Sequence, residues 1–298
     1  MAATRRAFLG LVPGLVTLPQ VANLRASEPP PPASSCEMLP AADATLQEAL
    51  RRSVVDLGLR PDLDSGRMAV ALLDLSRPDK LRYAGLNDHA MLYAASLPKI
   101  AILIAGFERI QEGLLRYTPA VREMFTRLTR FSSNVDASRA IQTIGFEYIA
   151  RTLRKYRFYD PQENGGLWLG KGYGGPNDRW KRDPLHNLSH GATAAQTARF
   201  FWLVEEGRLI SQQASAEIKK ILSAPGIRHK FVAGLADVPG RSIYRKSGTW
   251  RNYHADGALV EAGEYRYVAV ALLEREGGGA LFPPLIRSID RMICGGAA

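Results

Sequence analysis

The order of predicted elements along the chain predicts an α+β fold. After a first helix the chain has two strands, a block of helices, three strands and a closing helix. Runs of one kind of element, rather than strict alternation, favour a sheet and helices that occupy separate parts of the fold. The chain has 298 residues, 46% of them hydrophobic and 23% charged, which is typical of a soluble globular protein with one or two domains. No internal repeat is found.

The first elements are a helix and a hairpin. An amphipathic pattern runs from Asp43, a suitable N-cap, to Leu57. Residues 68–75 are almost all apolar and predict a buried strand. Residues 77–80, Arg-Pro-Asp-Lys, are typical of a turn, so residues 81–84 should return as the partner strand.

The middle of the chain is predominantly helical. The predicted helices are 97–111, 118–130, 135–144, 146–156, 193–206 and 211–221. Residues 158–190 interrupt them with glycine, proline, asparagine and tryptophan, and so long a loop inside a compact domain is usually functional or disordered. The sequence ends in three predicted strands and a helix: 241–246, 255–260, 265–273 and 285–293.

The N-terminus predicts export. Arg5 and Arg6 precede an apolar run from Phe8 to about Pro19, which is too short to span a bilayer. Paired arginines before Phe-Leu resemble a twin-arginine signal, with a random basic N-terminus as the alternative. We therefore divide the chain into an export signal (1–26), a proline-rich linker (27–42) and a folded domain (43–298). The mature protein should be periplasmic or secreted, without a stable membrane anchor.

The charge balance is basic. The formal charge is +10, and removal of residues 1–26 would delete three arginines and no acid, leaving +7. The positive residues are scattered, and no basic run is interleaved with aromatic residues, so we expect no nucleic-acid partner. The surplus could attract an anionic small substrate or simply keep the protein soluble. We expect a monomer.

Only two cysteines are present, Cys36 and Cys294, near the two ends of the mature chain. Because an exported protein meets an oxidising compartment, we expect them to form a disulfide. A lipid-modified Cys36 is the alternative, but Ser34-Ser35 is a poor sequence for that modification.

A serine stands at the start of one predicted helix, with a lysine three residues later. In a helix Ser96 and Lys99 share one face, and Pro98 suits the first turn. A serine hydroxyl needs an adjacent base to become a nucleophile, and a lysine with a lowered pKa can serve. Ser-x-x-Lys alone is weak evidence, because both residues are common at these positions.

Two further short motifs strengthen it. Ser132-Ser133-Asn134 lies at the entry to a predicted helix, and Lys246-Ser247-Gly248-Thr249 ends a predicted strand. Each motif is explained equally well by capping or turn chemistry. All three in this order match the motif set of serine β-lactamases and penicillin-binding proteins.

The chain resembles this superfamily over roughly residues 43–293, and within it class A β-lactamases most closely. Phe131-Ser132-Ser133-Asn134, with Ile141-Gln142-Thr143-Ile144-Gly145 downstream, is similar to the corresponding class A helix. The resemblance implies a five-stranded antiparallel sheet flanked by terminal helices and packed against an all-helical lobe, with the active site between them. It implies cleavage of an anionic β-lactam or peptide-like amide through an acyl-serine, without metal or cofactor.

The resemblance also implies a role for each matching residue. Ser96 would be acylated, Lys99 would hold or shuttle its proton, and Ser132, tuned by Lys246, would relay a proton to the leaving nitrogen. Asn134 would bind the substrate's side-chain amide. Lys246, Ser247 and Thr249 would hold its carboxylate. The N–H groups of Ser96 and Thr249, which Gly248 precedes, would form an oxyanion hole.

Two departures affect this interpretation. Ser132 follows Ser96 by 36 residues, a shorter spacing than is usual in class A enzymes, which predicts a wider or differently gated cleft. The loop glutamate that drives class A deacylation has no convincing match, with Asn177-Asp178, Glu163 and Asp160 as loose candidates. Three functions therefore stay open: a β-lactamase, a D,D-peptidase, esterase or other acyl-transfer enzyme, and a binding or sensor protein that stays acylated.

Other signals are weaker. Residues 170–175 fit the glycine pattern of a dinucleotide site, but no βαβ unit surrounds them, so we interpret them as loop glycines. His186 and His190 lack the glutamate of a zinc-hydrolase helix, and a structural role is favoured over metal binding. Trp168 and Tyr173 could line the cleft or pack in the core.

Overall fold

The computed structural model describes residues 36–175 and 178–295. The α-helices in these two ranges are α1 (Ala44–Asp56), α2 (Arg60–Asp64), α3 (Ile100–Gln111), α4 (Pro119–Arg130), α5 (Asn134–Ile144), α6 (Phe146–Lys155), α7 (Ala194–Glu205), α8 (Gln212–Leu222), α9 (Phe231–Leu235) and α10 (Phe282–Cys294). The strands are β1 (Met68–Asp74), β2 (Arg82–Leu86), β3 (Leu92–Tyr93), β4 (Tyr159–Asp160), β5 (Gly165–Gly166), β6 (Trp168–Leu169), β7 (His190–Ala192), β8 (Arg241–Trp250), β9 (Tyr253–Ala262) and β10 (Tyr265–Glu274).

A five-stranded antiparallel sheet carries the fold, in the order β2-β1-β10-β9-β8. This confirms the predicted α+β class and the hairpin across residues 77–80. β8 extends to Trp250, four residues beyond its predicted end, and pairs Lys246 with Gly257 and Thr249 with His254. Its polar motif breaks the apolar pattern that marks a strand, although the backbone pairing continues through it.

The two faces of the sheet are covered by different helices. Every residue of β1 is buried, and alternate side chains point to opposite faces. Val70 and Leu72 pack in a core with α1, α9 and α10. On the opposite face of the sheet, Ala71 and its neighbours pack with α3, α7 and the other helices of the helical lobe. The sheet therefore lies between the terminal helices and the lobe.

Five of the ten α-helices in the described ranges begin at side-chain caps. Asp43 accepts from the N–H of Leu46 at 2.8 Å, as predicted, and Thr118, Ser133, Thr193 and Ser211 cap α4, α5, α7 and α8 in the same way. The predicted helix at 97–111 opens instead with a 3₁₀ turn, Leu97–Lys99, before α3 begins. The five-residue helices α2 and α9 are too short to show a periodic pattern, and the sequence did not predict them.

The segment at 158–190 contains short strands. β4 pairs with β5, and β6 pairs with β7, which also pairs with β3. The strands are two or three residues long and rich in glycine, so they leave no alternating pattern in the sequence. Because β3 ends three residues before Ser96, this small sheet fixes the segment of chain that leads to the predicted nucleophile.

The expected disulfide is not formed. Both cysteines are free, with Cys36 Sγ 3.6 Å from the Lys155 carbonyl and Cys294 Sγ 3.7 Å from the Asp290 carboxylate. Nearness to the chain ends misled the prediction, because the two ends lie against different helices.

The predicted export signal, residues 1–26, and residues 27–35 of the linker lie outside the described residues. The described end of that linker packs on the domain, where the Arg199 guanidinium donates to the Glu37 carbonyl at 2.6 Å. In the described ranges, no helix is long and apolar enough to cross a membrane.

Candidate active site

Ser96 sits at the N-terminus of the 3₁₀ turn that leads into α3. Its side chain is half-buried and makes no capping hydrogen bond, so the hydroxyl is not committed to the helix. Pro98 occupies the first turn, where no backbone N–H is needed. This places a hydroxyl group beside the positive end of the helix dipole, where negative charge is stabilised.

Lys99, one turn later, is completely buried and reaches across to the start of α5. Its Nζ donates to the Ser132 carbonyl at 2.5 Å and to Asn134 Oδ1 at 2.8 Å. The Ser132 hydroxyl lies 3.3 Å from the same nitrogen. The Lys99 amine therefore joins the first motif to Ser132 and Asn134 of the second.

Burial lowers the pKa of Lys99 from 10.5 to about 7. None of the described carboxylates contacts its Nζ, so no negative charge offsets the loss of solvation. A neutral amine has two N–H groups and one lone pair. The two shortest contacts are to oxygens that only accept, so they use both N–H groups and leave the lone pair for a hydroxyl proton. Lys99 has the chemistry of a general base near neutral pH.

Lys246 approaches the same hydroxyl from the sheet. Its Nζ lies 3.0 Å from Ser132 Oγ and 2.6 Å from the Ser247 carbonyl. Burial, together with the nearby positive groups of Lys99 and Arg245, lowers the pKa of Lys246 well below its usual value. Ser132 Oγ thus bridges two buried lysines, an arrangement that can pass a proton between the helical lobe and the sheet.

The strand that carries Lys246 is fixed by a buried ion pair. The Arg245 guanidinium binds the Asp256 carboxylate with two hydrogen bonds, at 2.7 and 2.8 Å. Asp256 is fully buried and also accepts from the N–H of Phe231. The pair joins β8, β9 and the start of α9 directly behind the motif.

Gly248 brings the strand backbone against the nucleophile. A Cβ atom at this position would lie 2.1 Å from the Ala94 carbonyl and 2.8 Å from the Ser96 nitrogen, so no other residue fits without movement. Thr249, which follows it, is exposed, and its hydroxyl accepts from Lys230 Nζ at 2.9 Å. The backbone at Gly248 therefore runs directly against the backbone that leads into Ser96.

Two residues of the site hold left-handed backbone conformations. Ala95 has φ 50° and Ser132 has φ 55°, although neither is glycine. Each such conformation costs about 1–3 kcal/mol and persists only where the surroundings impose it. The strain lies immediately before the nucleophile and at the bridging hydroxyl.

Tyr173, from the long loop, covers Lys99. Its ring centroid lies 4.3 Å from Lys99 Nζ, and its hydroxyl donates to the Ala95 carbonyl at 3.3 Å. The sequence leaves open whether Tyr173 lines the cleft or packs in the core, and the structure shows both, because the ring covers Lys99 and packs against the core of the lobe. Trp168, for which the sequence leaves the same two possibilities, is 1% exposed and packs in the core.

The acidic residues that the sequence offered as a deacylating base all bind other groups. Glu163 contacts His89 at 3.3 Å, and Asp160 pairs with Arg157 at 2.8 Å. Asp178 accepts from the Ser138 hydroxyl and from the N–H of Gly174, which fixes the loop. Asn177 lies outside the described residues.

The structure also contains groups that the sequence did not single out for the site. Lys230, buried and with φ 55°, donates to the carbonyls of Gly248 and Ala255 at 2.5 and 3.1 Å and fixes the end of β8. Burial lowers its pKa to about 8. Nothing in its local sequence marks it, because its partners are backbone atoms on distant strands. No group of histidines, cysteines and acids able to hold a metal is found in the described ranges.

A sequence model of the family described as "Beta-lactamase enzyme family" matches residues 120–293, which is more than half of the chain. No curated protein matches significantly. The structural comparisons find many related chains.

Three solved structures show the likeness. A β-lactamase from Sphaerobacter thermophilus is 13% identical, with a TM-score of 0.63 over 82% of this chain and 96% of that one. PBP-A is 16% identical, with a TM-score of 0.65 over 86% and 98%. A class A β-lactamase described as the last common ancestor of Gram-negative bacteria is 19% identical, with a TM-score of 0.62 over 82% and 99%. At these identities the likeness is one of fold.

Proposed function

Because the chain belongs to the β-lactamase enzyme family, we propose that it is a serine hydrolase that opens β-lactam amides through an acyl-serine at Ser96. The observation that carries the proposal is the hydrogen-bonded series Lys99–Ser132–Lys246 beside that serine. It supplies a base that is partly neutral at pH 7 and a path for the proton to the leaving nitrogen.

The proposed acylation proceeds through three proton transfers. Lys99 takes the Ser96 hydroxyl proton while Oγ attacks the β-lactam carbonyl, and the oxyanion is stabilised by the N–H groups of Ser96 and Thr249. The C–N bond then breaks. Ser132 gives its hydroxyl proton to the leaving nitrogen and is reprotonated from Lys246 or Lys99, so that the product is a neutral acyl ester with a ring-opened amine.

The anionic group of the substrate would lie at the end of β8. Ser247 and Thr249 carry hydroxyls there, and Lys246 and Lys230 supply nearby positive charge when protonated. Asn134 is exposed on the opposite side of the cleft and could donate an amide N–H to a substrate carbonyl while its Oδ1 stays on Lys99.

A second candidate function is acylation without efficient turnover, as in a sensor or a β-lactam-binding protein. The observation that favours it is Tyr173 over Lys99, since none of the described carboxylates reaches that position. A tyrosine whose pKa is raised by burial is a poor base for activating water. A D,D-peptidase or another acyl-transfer activity would use the same acylation chemistry on a different amide or ester.

One experiment separates these functions. Purified protein is mixed with a chromogenic cephalosporin, and the colour change and the intact protein mass are followed together. Sustained turnover that disappears in Ser96→Ala supports a β-lactamase, and a stable one-to-one adduct supports acylation without turnover. Ser65→Ala, at an exposed serine of a turn, serves as the matched control and should behave as the wild type. If the protein shows neither an adduct nor turnover, the proposal is refuted.

We also propose that the chain is exported and acts as a monomer on small anionic substrates, with no nucleic-acid partner. Support comes only from the paired arginines, the apolar run and the scattered basic charge. Substitution of Arg5 and Arg6 by lysine should retain the full-length precursor in the cytoplasm of a producing cell, whereas the wild type yields a shortened mature chain.

A further inference from the structure

A cavity of about 590 Å³ adjoins the candidate active site. It lies between the small sheet of the long loop and the turn that joins β8 to β9. We propose that it binds the acyl side chain of the substrate and selects a side chain that carries both an aromatic ring and a carboxylate. This inference rests on the proposed function and deepens it, because it assigns a substrate class to the same site.

One wall of the cavity is aromatic. The Tyr93 ring lies 4.9 Å from that of Tyr253 and 5.5 Å from that of Trp250, measured between centroids. Trp250 is a large apolar residue, yet 46% of its surface is exposed. An exposed, preassembled cluster of rings offers offset or edge-on contacts to an aryl group, worth about 0.5–1.5 kcal/mol each.

The other wall is cationic. Lys171, Arg179 and Arg182 line it, and no acidic residue does. None of the three forms an ion pair with a carboxylate in the described part of the chain. Three neighbouring cations repel one another, and an anionic group in the cavity would relieve that repulsion.

A buried histidine is also available for a ligand. His190 lines the cavity, is 5% exposed, and has no hydrogen-bond partner on Nε2 among the described residues. Burial lowers its pKa to about 4, against a smaller opposing effect of the Lys171 backbone, so the ring is neutral at pH 7. A neutral imidazole can donate to a carboxylate or accept from an amide, and leaving such a group unpaired is costly.

The cavity is connected to the reacting groups. The His190 ring lies 4.6 Å from Tyr173, whose ring in turn covers Lys99. Tyr93 precedes Ser96 by three residues, and Trp250 directly follows Thr249. An acyl group on Ser96 would therefore point its side chain towards this cavity while its carbonyl sits between the two facing backbones.

The test uses three penicillins that differ only at the α-carbon of a phenylacetyl side chain. Benzylpenicillin carries hydrogen there, ampicillin an ammonium group and carbenicillin a carboxylate. We expect the second-order rate constant for acylation, measured by intact mass, to be highest for carbenicillin and lowest for ampicillin. The expected spread is about 5- to 30-fold and should shrink as salt is added, because the cations are partly exposed.

The three acylation rate constants should become nearly equal in the variant that carries Lys171→Gln, Arg179→Gln and Arg182→Gln. A control variant with Lys80→Gln, Arg116→Gln and Arg291→Gln removes the same charge from exposed positions elsewhere. That control should keep the order and the spread. Equal rate constants in the wild type, or an order that survives the cavity substitutions, would overturn the inference.

Two non-reactive probes test binding in the cavity if no penicillin acylates the protein. Phenylmalonate has the side chain of carbenicillin without the lactam, and phenylacetamide is its neutral counterpart. Calorimetric titration should detect tighter binding of phenylmalonate, lost in the cavity variant. That result without any acylation would retain the cavity and refute the proposed function, whereas equal binding of the two probes would refute the cavity.

Discussion

Replacement of Lys99 by methionine should stop acylation and yet leave the protein no less stable at pH 7. The lysine is completely buried, and its pKa falls from 10.5 in the unfolded chain to about 7 in the folded one. Between these values the unfolded chain binds more protons, so the free energy of unfolding rises as the pH rises through this window. At pH 7 the penalty for burying this lysine is about 4 kcal/mol, and at pH 10 it is about 1 kcal/mol.

Lys99→Met removes that penalty together with the hydrogen bonds of the amine. The Ser132 carbonyl then loses its partner at a cost of about 1–3 kcal/mol, whereas the exposed Asn134 can turn to solvent. We expect a net gain of about 2 kcal/mol at pH 7 and a net loss of about 1 kcal/mol at pH 10. The difference between the two pH values, on the order of 3 kcal/mol, does not depend on the hydrogen bonds, because they are lost equally at both.

Urea unfolding followed by circular dichroism, at pH 7 and at pH 10, measures the change in unfolding free energy for variant and wild type. Lys80→Met, at an exposed turn, is the matched control and should show no pH-dependent difference. Equal effects of Lys99→Met at both pH values would mean that the folded protein keeps this lysine charged. The assignment of Lys99 as the base at neutral pH would then be refuted.

Three more predictions follow from the same contacts. The acylation rate constant of the wild type should rise about tenfold between pH 6 and pH 8, as Lys99 loses its proton with a pKa of about 7, and a rise only above pH 9 would contradict this. Gly248→Ala should lower both acylation and stability, because its Cβ meets the Ala94 carbonyl at 2.1 Å, whereas Gly175→Ala, with nothing within 4 Å, should change neither. Asp256→Asn should destabilise the fold by about 3–5 kcal/mol in thermal or urea unfolding, since it leaves a buried arginine unpaired. Glu48→Gln, which breaks only exposed pairs, should cost less than about 1 kcal/mol.

The fold was predictable wherever burial imposes a period on the sequence. The strands of the large sheet, the helices of the lobe and the capping residue Asp43 all show local patterns that the structure confirms. The end of β8 was not predictable in this way. Its Lys-Ser-Gly-Thr motif faces the cleft rather than a core, so its residue types follow chemistry and not burial.

The three motifs predicted which residues meet, and the structure brings all eight together. The sequence left Tyr173 open between cleft and core, and it could not predict the parts of His190 and Lys230, because these side chains act through contacts with residues 17 or more positions away in the chain. The disulfide prediction was wrong for a related reason. Distance along the sequence says little about which face of the sheet a chain end lies on.

The site concentrates costs that the fold itself does not require. Ala95 and Ser132 hold left-handed conformations at about 1–3 kcal/mol each, and two lysines are buried around one hydroxyl. Glycine at position 95 or 132 would relieve the backbone strain, and methionine at position 99 or 246 would relieve the burial of charge, without disturbing the sheet or its cores. Polar contacts surround these residues: Tyr173 donates to the Ala95 carbonyl and covers the Lys99 amine, and the Arg245–Asp256 pair and Lys230 hold β8. Buried polar groups around an amine of lowered pKa suit the proton transfer that we propose. For this reason the chemistry of the site is better evidence for acylation than the likeness of fold.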